Sequence, residues 1–383
     1  MLRRDFVKHV GRVTAASLAG RMPGVGDLLA AGEAAARAAT EKLYGVRVGK
    51  LRGYVDAFGR LAIAPRFATG YGFAGGFMVF EEGGRHGVVD VAARELIPPV
   101  FEDSDLHGFG DGFWAVKLAG AWGFVDVAGR WLVEPQFAAV KRFSQGLAAV
   151  QLGELWGYID ARGELVIAPR FTSAGRFAEG LAPCAEDGAW GFIDRQGAWA
   201  IEPTYDFTAE FADGRGMVGR GRSYGFVDSG GRQVIARRFR WATAFHEGLA
   251  KVELPRKLGP DERPLDVFYK TRYLYIATDG EVVLELPAGD YPYIFTYGRA
   301  AIGRPVAGGK ARRWGFIDRS GATVVPFQYD EVCVFDEHGF AHVRTSEGWH
   351  VIDADGRYLV RVVVDDDGER LLDGLGHQLW PPP

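Results

Sequence analysis

The sequence predicts an all-β fold, a tandem array of about nine three-stranded antiparallel meanders of about 34 residues each. Three observations predict it. A pentapeptide recurs in register, a turn signal follows each copy at a fixed distance, and the composition supplies the glycines and aromatics that many short strands need. Gly reaches 54 residues and aromatics 13% of the chain, including 26 Phe and 10 Trp.

The pentapeptide Trp122-Gly123-Phe124-Val125-Asp126 returns as Trp156-Gly157-Tyr158-Ile159-Asp160, Trp190-Gly191-Phe192-Ile193-Asp194 and Tyr224-Gly225-Phe226-Val227-Asp228. Further copies start at Arg52, His86, Trp314 and Trp349, and a degenerate one lies at Leu274-Tyr275-Ile276-Ala277. Counted from Gly53, the second positions lie 34, 36, 34, 34, 34, 49, 41 and 35 residues apart, so two insertions flank the seventh copy.

Within the fourth copy, Leu147 to Leu152 reads as a first strand and Gly153-Glu154 as a turn. Trp156 to Asp160 is the second strand. Asp160-Ala161-Arg162-Gly163 is a hairpin turn, since Asp accepts from backbone N–H groups two residues on and Gly takes a positive φ. Glu164 to Ile167 is the third strand. Pro169 has no N–H, so pairing is expected to stop there. Phe171 and Phe177 anchor the connection to the next unit, and a Phe recurs at Phe73, Phe109, Phe143, Phe211, Phe245, Phe295 and Phe335. The Gly after each Trp is expected to admit a close neighbour. One such meander cannot bury its apolar face alone, so stacking supplies the core.

These copies resemble the WG-repeat family of bacterial proteins, named for the Trp-Gly pair, over residues from about Gly45 to Gly356. The resemblance implies a β-rich repeat without an assigned activity. The seventh copy departs from it by lacking Trp, Gly and Asp, and the ninth by carrying His350 in place of Gly. Three segments follow: 1–44, 45–363 with the repeats, and 364–383, a partial tenth copy or cap. Propeller blades usually hold four strands in 40 or more residues, so an open propeller-like spiral is expected. The alternative is a closed ring, with the Val46–Val48 strand paired to the tail.

Residues 1–44 are rich in Ala, Arg and Gly. Arg3-Arg4-Asp5-Phe6-Val7-Lys8 resembles a bacterial twin-arginine export signal, followed by small and apolar residues from Val10 to Ala31. Arg12 and Arg21 interrupt that stretch, and an amphipathic helix over Gly26 to Lys42 is the other reading. The signal reading implies a periplasmic or extracellular protein, and the other a cytoplasmic one.

Net charge is −4 and the chain has no run of 18 apolar residues. The expectation is therefore no nucleic-acid partner and no integral membrane segment. Cys184 and Cys333 are too far apart in sequence to argue a disulfide framework. The recurring carboxylates, Asp56 through Asp353, each have a local reason to sit in their turns, and no pair is singled out as glycosidase acids. The Trp ladder reads as core at strand spacing. Non-repeated aromatics are the better binding candidates: Trp114, Trp131, Trp199, Trp241, and the cluster Tyr291, Tyr293, Phe295 and Tyr297.

Cys333, Asp336, His338, His342 and His350 concentrate metal-type ligands, but at no standard spacing. Asp365-Asp366-Asp367-Gly368 reads as an exposed turn, and the basic clusters Arg256-Lys257 and Lys310-Ala311-Arg312-Arg313 lie in the insertions. No nucleophile elbow, phosphate loop or zinc-protease helix occurs. The sequence thus singles out no catalytic, cofactor-binding or metal residue, and no cofactor. It points to a non-enzymatic scaffold for a protein partner. A glycan or cell-wall binding module is the alternative, and a hydrolase built from inter-repeat loops the third reading.

Overall fold

The computed structural model describes residues 43–381, apart from 57, 255–270, 307–310, 337–338 and 366–367. The twin-arginine segment, Arg256-Lys257, Lys310 and His338 lie outside the described residues. No helix occurs among the described residues, which form 37 strands in nine antiparallel sheets. The chain is a nine-bladed β-propeller of small sheets.

The blades are not three-stranded, and this corrects the sequence reading. Seven of the nine sheets have four strands. The fourth sheet runs Ala139–Val140, Leu147–Leu152, Leu155–Asp160, Leu165–Phe171. The extra strand has two residues, with Ala139 opposite Gln151 and Val140 opposite Val150. Two residues show no alternation, so periodicity gives no sign of it. The first sheet has three strands and the ninth has six.

Pro169 does not end the third strand. Trp156 lies opposite Phe171 and Tyr158 opposite Ile167, so Ala168, Pro169 and Arg170 bulge opposite Gly157 alone. The bulge absorbs the missing N–H. A Cβ on Gly157 would stand 2.4 Å from the Ile167 carbonyl oxygen and 2.8 Å from the Pro169 nitrogen. The same crowding recurs at Gly53, Gly87, Gly123, Gly191, Gly225 and Gly315. The close neighbour expected beside this Gly is therefore the backbone of its own third strand.

The ninth sheet supports this account by exception. Val362 replaces Pro, and the strand Tyr358–Asp365 runs straight on to pair with Gly368–Asp373. Where this strand pairs with the one before it, the register shift lies between Val351 and Ile352, and His350 occupies the Gly position. Its Nδ1 accepts from the Val362 N–H at 3.2 Å, while Nε2 lies 2.7 Å from the Thr345 hydroxyl. The tail copy supplies the last hairpin, Gly368–Asp373 with Gln378–Trp380.

The turn reading holds at every conserved-spacing Asp. Asp160 Oδ1 accepts from Arg162 N at 2.9 Å and Glu164 N at 3.0 Å, and Gly163 has φ +79°. Asp56, Asp90, Asp126, Asp194, Asp228, Asp318, Asp353 and Asp373 accept in the same two places. The degenerate seventh copy keeps the turn, with Gly280 N donating to Ala277 O at 2.9 Å.

One apolar cluster lies between each successive pair of sheets. Tyr158, Ile167 and Phe171 of the fourth sheet pack on Phe177, Cys184 and Ile193 of the fifth. The recurring Phe seals each junction against the aromatic two residues after the Trp position. Phe124–Phe143, Tyr158–Phe177, Phe192–Phe211, Phe226–Phe245, Tyr275–Phe295 and Phe316–Phe335 have ring centroids 4.6 to 4.9 or 5.0 Å apart. Such pairs contribute about 1 kcal/mol each beyond area burial.

Polar clamps run beside these clusters. Asp111 accepts from Gly146 N, Gln145 from Gly180 N, Glu179 from Gly214 N, Asp213 from Gly248 N, and Glu247 from Gly298 N, at 2.6 to 3.0 Å. Each side chain thus reaches one sheet forward. Gly75, at the same turn position of the second sheet, has no side chain to do so.

A further cluster joins the ends of the array. Tyr44, Val46, Val48 and Val55 of the first sheet pack on Val351, Val360, Val362 and Leu371 of the ninth. Tyr44 and Phe340 rings approach to 4.2 Å, His342 Nε2 lies 2.6 Å from Gly45 O, and Gly49 N donates to Glu369. The strand Leu43–Val48 pairs with Leu51–Asp56 of its own sheet, and not with the tail.

Candidate binding groove

The two-residue strands bring the chemistry together. Each is followed by a short turn, and successive turns present Asp105 and His107, then Lys141 and Arg142, then Arg176, then Glu210. Asp105, His107, Trp122, Lys141, Arg142 and Arg176 line one hollow of about 390 Å³. A second, of about 510 Å³, is lined by residues including Lys141, Arg176, Pro183, Trp190, Thr208 and Glu210. Lys141 and Arg176 border both, so the hollows form one groove across the third to sixth sheets.

The electrostatics are uneven along it. Arg176 is held by Glu210 through two bonds, Nε to Oε1 at 2.9 Å and Nη2 to Oε2 at 2.7 Å. That carboxylate raises the Arg176 pKa further, against the effect of burial. Arg142 Nε is 3.8 Å from Asp105 Oδ2, and His107 Nδ1 is 3.2 Å from Asp105 Oδ1. Lys141 is exposed, its Nζ 5.7 Å from the Trp156 ring centroid. Among the described residues no carboxylate pairs with it.

The Trp ladder packs at the edge of the core clusters and is not enclosed in them, which corrects the sequence reading in part. Trp122, Trp156, Trp190, Trp314 and Trp349 are half-buried. The buried side chains of each pentapeptide are the third and fourth: Tyr54, Phe124, Tyr158, Phe192, Phe226 and Phe316 are 0% exposed, and Val55, Val125, Ile159, Ile193, Val227 and Ile317 are buried with them. Both faces of a blade are covered by neighbours, so strand alternation does not separate core from surface.

The non-repeated aromatics divide. Trp114 is 0% exposed and donates through Nε1 to Asp105 O at 2.9 Å, so it is core. Phe295 is buried as well. Trp131 and Trp199 are half-buried, edge-on to Phe101 and Phe171. Trp241 is 44% exposed. With Tyr273 and Tyr291 it surrounds the Lys251 ammonium at 5.1 to 5.8 Å, and Lys251 Nζ donates to Pro292 O at 3.0 Å. Burial lowers the Lys251 pKa. This second cluster is filled by its own lysine. Tyr293 stacks on Trp314 at 4.9 Å, and Tyr297 stands apart, its ring beside Gly339.

Cys184 is buried, 3.2 Å from the Tyr158 hydroxyl, and burial pushes its thiol up to about 12. The Cys333, Asp336, His342 and His350 concentration is spread out by the fold. His342 faces the first sheet, and His350 bridges two strands of the ninth. Among the described residues no group of three His, Cys, Asp or Glu is placed to hold a metal ion, and no helix is long and apolar enough to cross a membrane. The groove itself carried little signal in the sequence. Lys141, Arg176 and Glu210 sit in connections that differ from copy to copy, and that variation was its only trace.

A family model described as WG containing repeat matches residues 122–156, 156–188, 190–220, 224–254 and 314–349. No curated protein matches the sequence. Among solved structures, a eukaryotic initiation factor is similar with a TM-score of 0.56 at 10% identity, over 83% of this chain and 94% of that one. BamB from Moraxella catarrhalis gives a TM-score of 0.42 at 11% identity, over 81% and 98%. At 10% identity the first likeness is one of fold alone.

Proposed function

Since the chain is a member of the WG-repeat family, we propose that it is a non-enzymatic scaffold that binds a protein partner through the groove across its third to sixth sheets. The observation that carries this reading is the groove's construction. Four successive sheets contribute to one extended, aromatic and charged surface, as repeat arrays do at their binding faces. Its carboxylates have partners: Glu210 is bonded to Arg176, and Asp105 lies beside Arg142 and within 3.2 Å of His107 Nδ1. The Asp ladder is tied into turns. A glycosidase needs a pair of carboxylates set apart by their surroundings, and neither set supplies one.

The glycan reading keeps one supporting observation, the half-buried indoles at Trp122 and Trp190. Affinity capture from the native source, beside a glycan array, separates the two. The full chain is expected to retain a protein, and Trp190→Ala to lose it with an unchanged melting temperature. Saturable glycan binding with no retained protein would overturn the reading.

We also read the array as a closed ring, supported by the cluster between first and ninth sheets. The paired Arg3 and Arg4 support export through the twin-arginine route. Cell fractionation tests this: the chain should appear outside the cytoplasm, and Arg3→Lys with Arg4→Lys should retain it inside. Equal distribution of both forms would sink the export reading.

A further inference from the structure

We infer that the groove takes an extended acidic peptide segment, with one carboxylate on Lys141 and apolar side chains against Trp122 and Trp190. This rests on the scaffold reading and names the chemistry of the partner. Charge complementarity argues for it. The groove gathers three fixed cations, Lys141, Arg142 and Arg176, against Asp105 and Glu210, in a chain whose net charge is −4. Each arginine has a carboxylate within 4 Å, and Lys141 has none among the described residues. Of the two residues that border both hollows, Arg176 is held by Glu210, so a carboxylate on Lys141 lies between them. Trp122 borders one hollow and Trp190 the other. An extended segment sends alternate side chains to opposite sides, so charged and apolar groups can meet the ammonium and the indoles in turn. The wall holds one more hydrogen-bonding group: the Thr208 hydroxyl is buried and has no partner among the described residues.

The test uses the full chain and a fluorescein-labelled octapeptide of alternating Leu and Glu, read by anisotropy. Its Gln counterpart and tetragalacturonate, an acidic sugar, serve as comparison ligands. Saturable binding of the Glu peptide is expected, weakening as salt rises. Lys141→Gln, or Glu to Gln in the peptide, should weaken it about fivefold. Lys141 is exposed, so the variant keeps its fold. Lys50→Gln, an exposed lysine of the first sheet's hairpin, should leave binding unchanged. No saturable binding, equal binding by Lys141→Gln, or full displacement by tetragalacturonate would each overturn the assignment. If the peptide fails while Trp190→Ala still abolishes capture of a native protein, the scaffold reading stands and the acidic segment falls.

Discussion

Gly157→Ala is expected to lower the unfolding free energy by about 3 kcal/mol, an effect unusual for adding one methyl group. The new Cβ would meet the Ile167 carbonyl oxygen at 2.4 Å and the Pro169 nitrogen at 2.8 Å. Both are backbone atoms, so no side chain can rotate away. The strand Leu165–Phe171 must open its bulge, which threatens the Trp156 to Phe171 pairing. Phe171 is 0% exposed and belongs to the cluster joining the fourth and fifth sheets, so the disturbance reaches the next blade. Gly72→Ala is the control: nothing lies within 4 Å of its Cβ, and it is expected to be neutral or slightly stabilising. Urea titration of both variants checks this. A midpoint for Gly157→Ala within error of the parent would refute the bulge account of the Trp-Gly pair.

The second large effect is expected at the junction of first and ninth sheets. Val360 is 0% exposed among Tyr44, Val46, Val48, Val351 and Leu371. Val360→Asp places a carboxylate there without a partner, at a cost of about 4 kcal/mol. Each blade packs only on its neighbours, so the middle blades should survive while the two ends part. Small-angle scattering should then show a larger radius of gyration, and the thermal transition should split. An unchanged radius with one cooperative transition would argue against closure through this seam.

The same junction should sense acid in the parent chain. Burial holds the His342 pKa below its ordinary value; the hydrogen bond to the Gly45 carbonyl opposes this, Arg52 lowers it further and Asp336 raises it slightly. Burial also lowers that of His350. Both rings take up a proton more readily in the unfolded chain. Their contribution to stability is therefore complete above about pH 6.5, the unfolded value, and falls as pH drops below it toward the folded values.

Much of the architecture was legible because its causes are local. An Asp accepting from N–H groups two and four residues on, and a Gly able to take positive φ, write the same hairpin wherever they recur. Phe177 and its counterparts were legible as anchors for the same reason of spacing. The roles of Trp156 and Trp114 were not. Both are strand residues, but Trp156 is half-buried, with Lys141 Nζ 5.7 Å from its ring, while Trp114 is buried against Phe101 and Phe109. That difference depends on which neighbouring blade covers each site.

The sequence by itself determined the repeat, its hairpins, the number of units and the need for Gly beside each Trp position, since turn geometry acts within a few residues. The tertiary structure alone decided the two-residue fourth strand, the six-stranded last sheet, the packing of first sheet against ninth, and the groove. Those features arise where residues from separate copies meet, and a contact between copies leaves no period in either one.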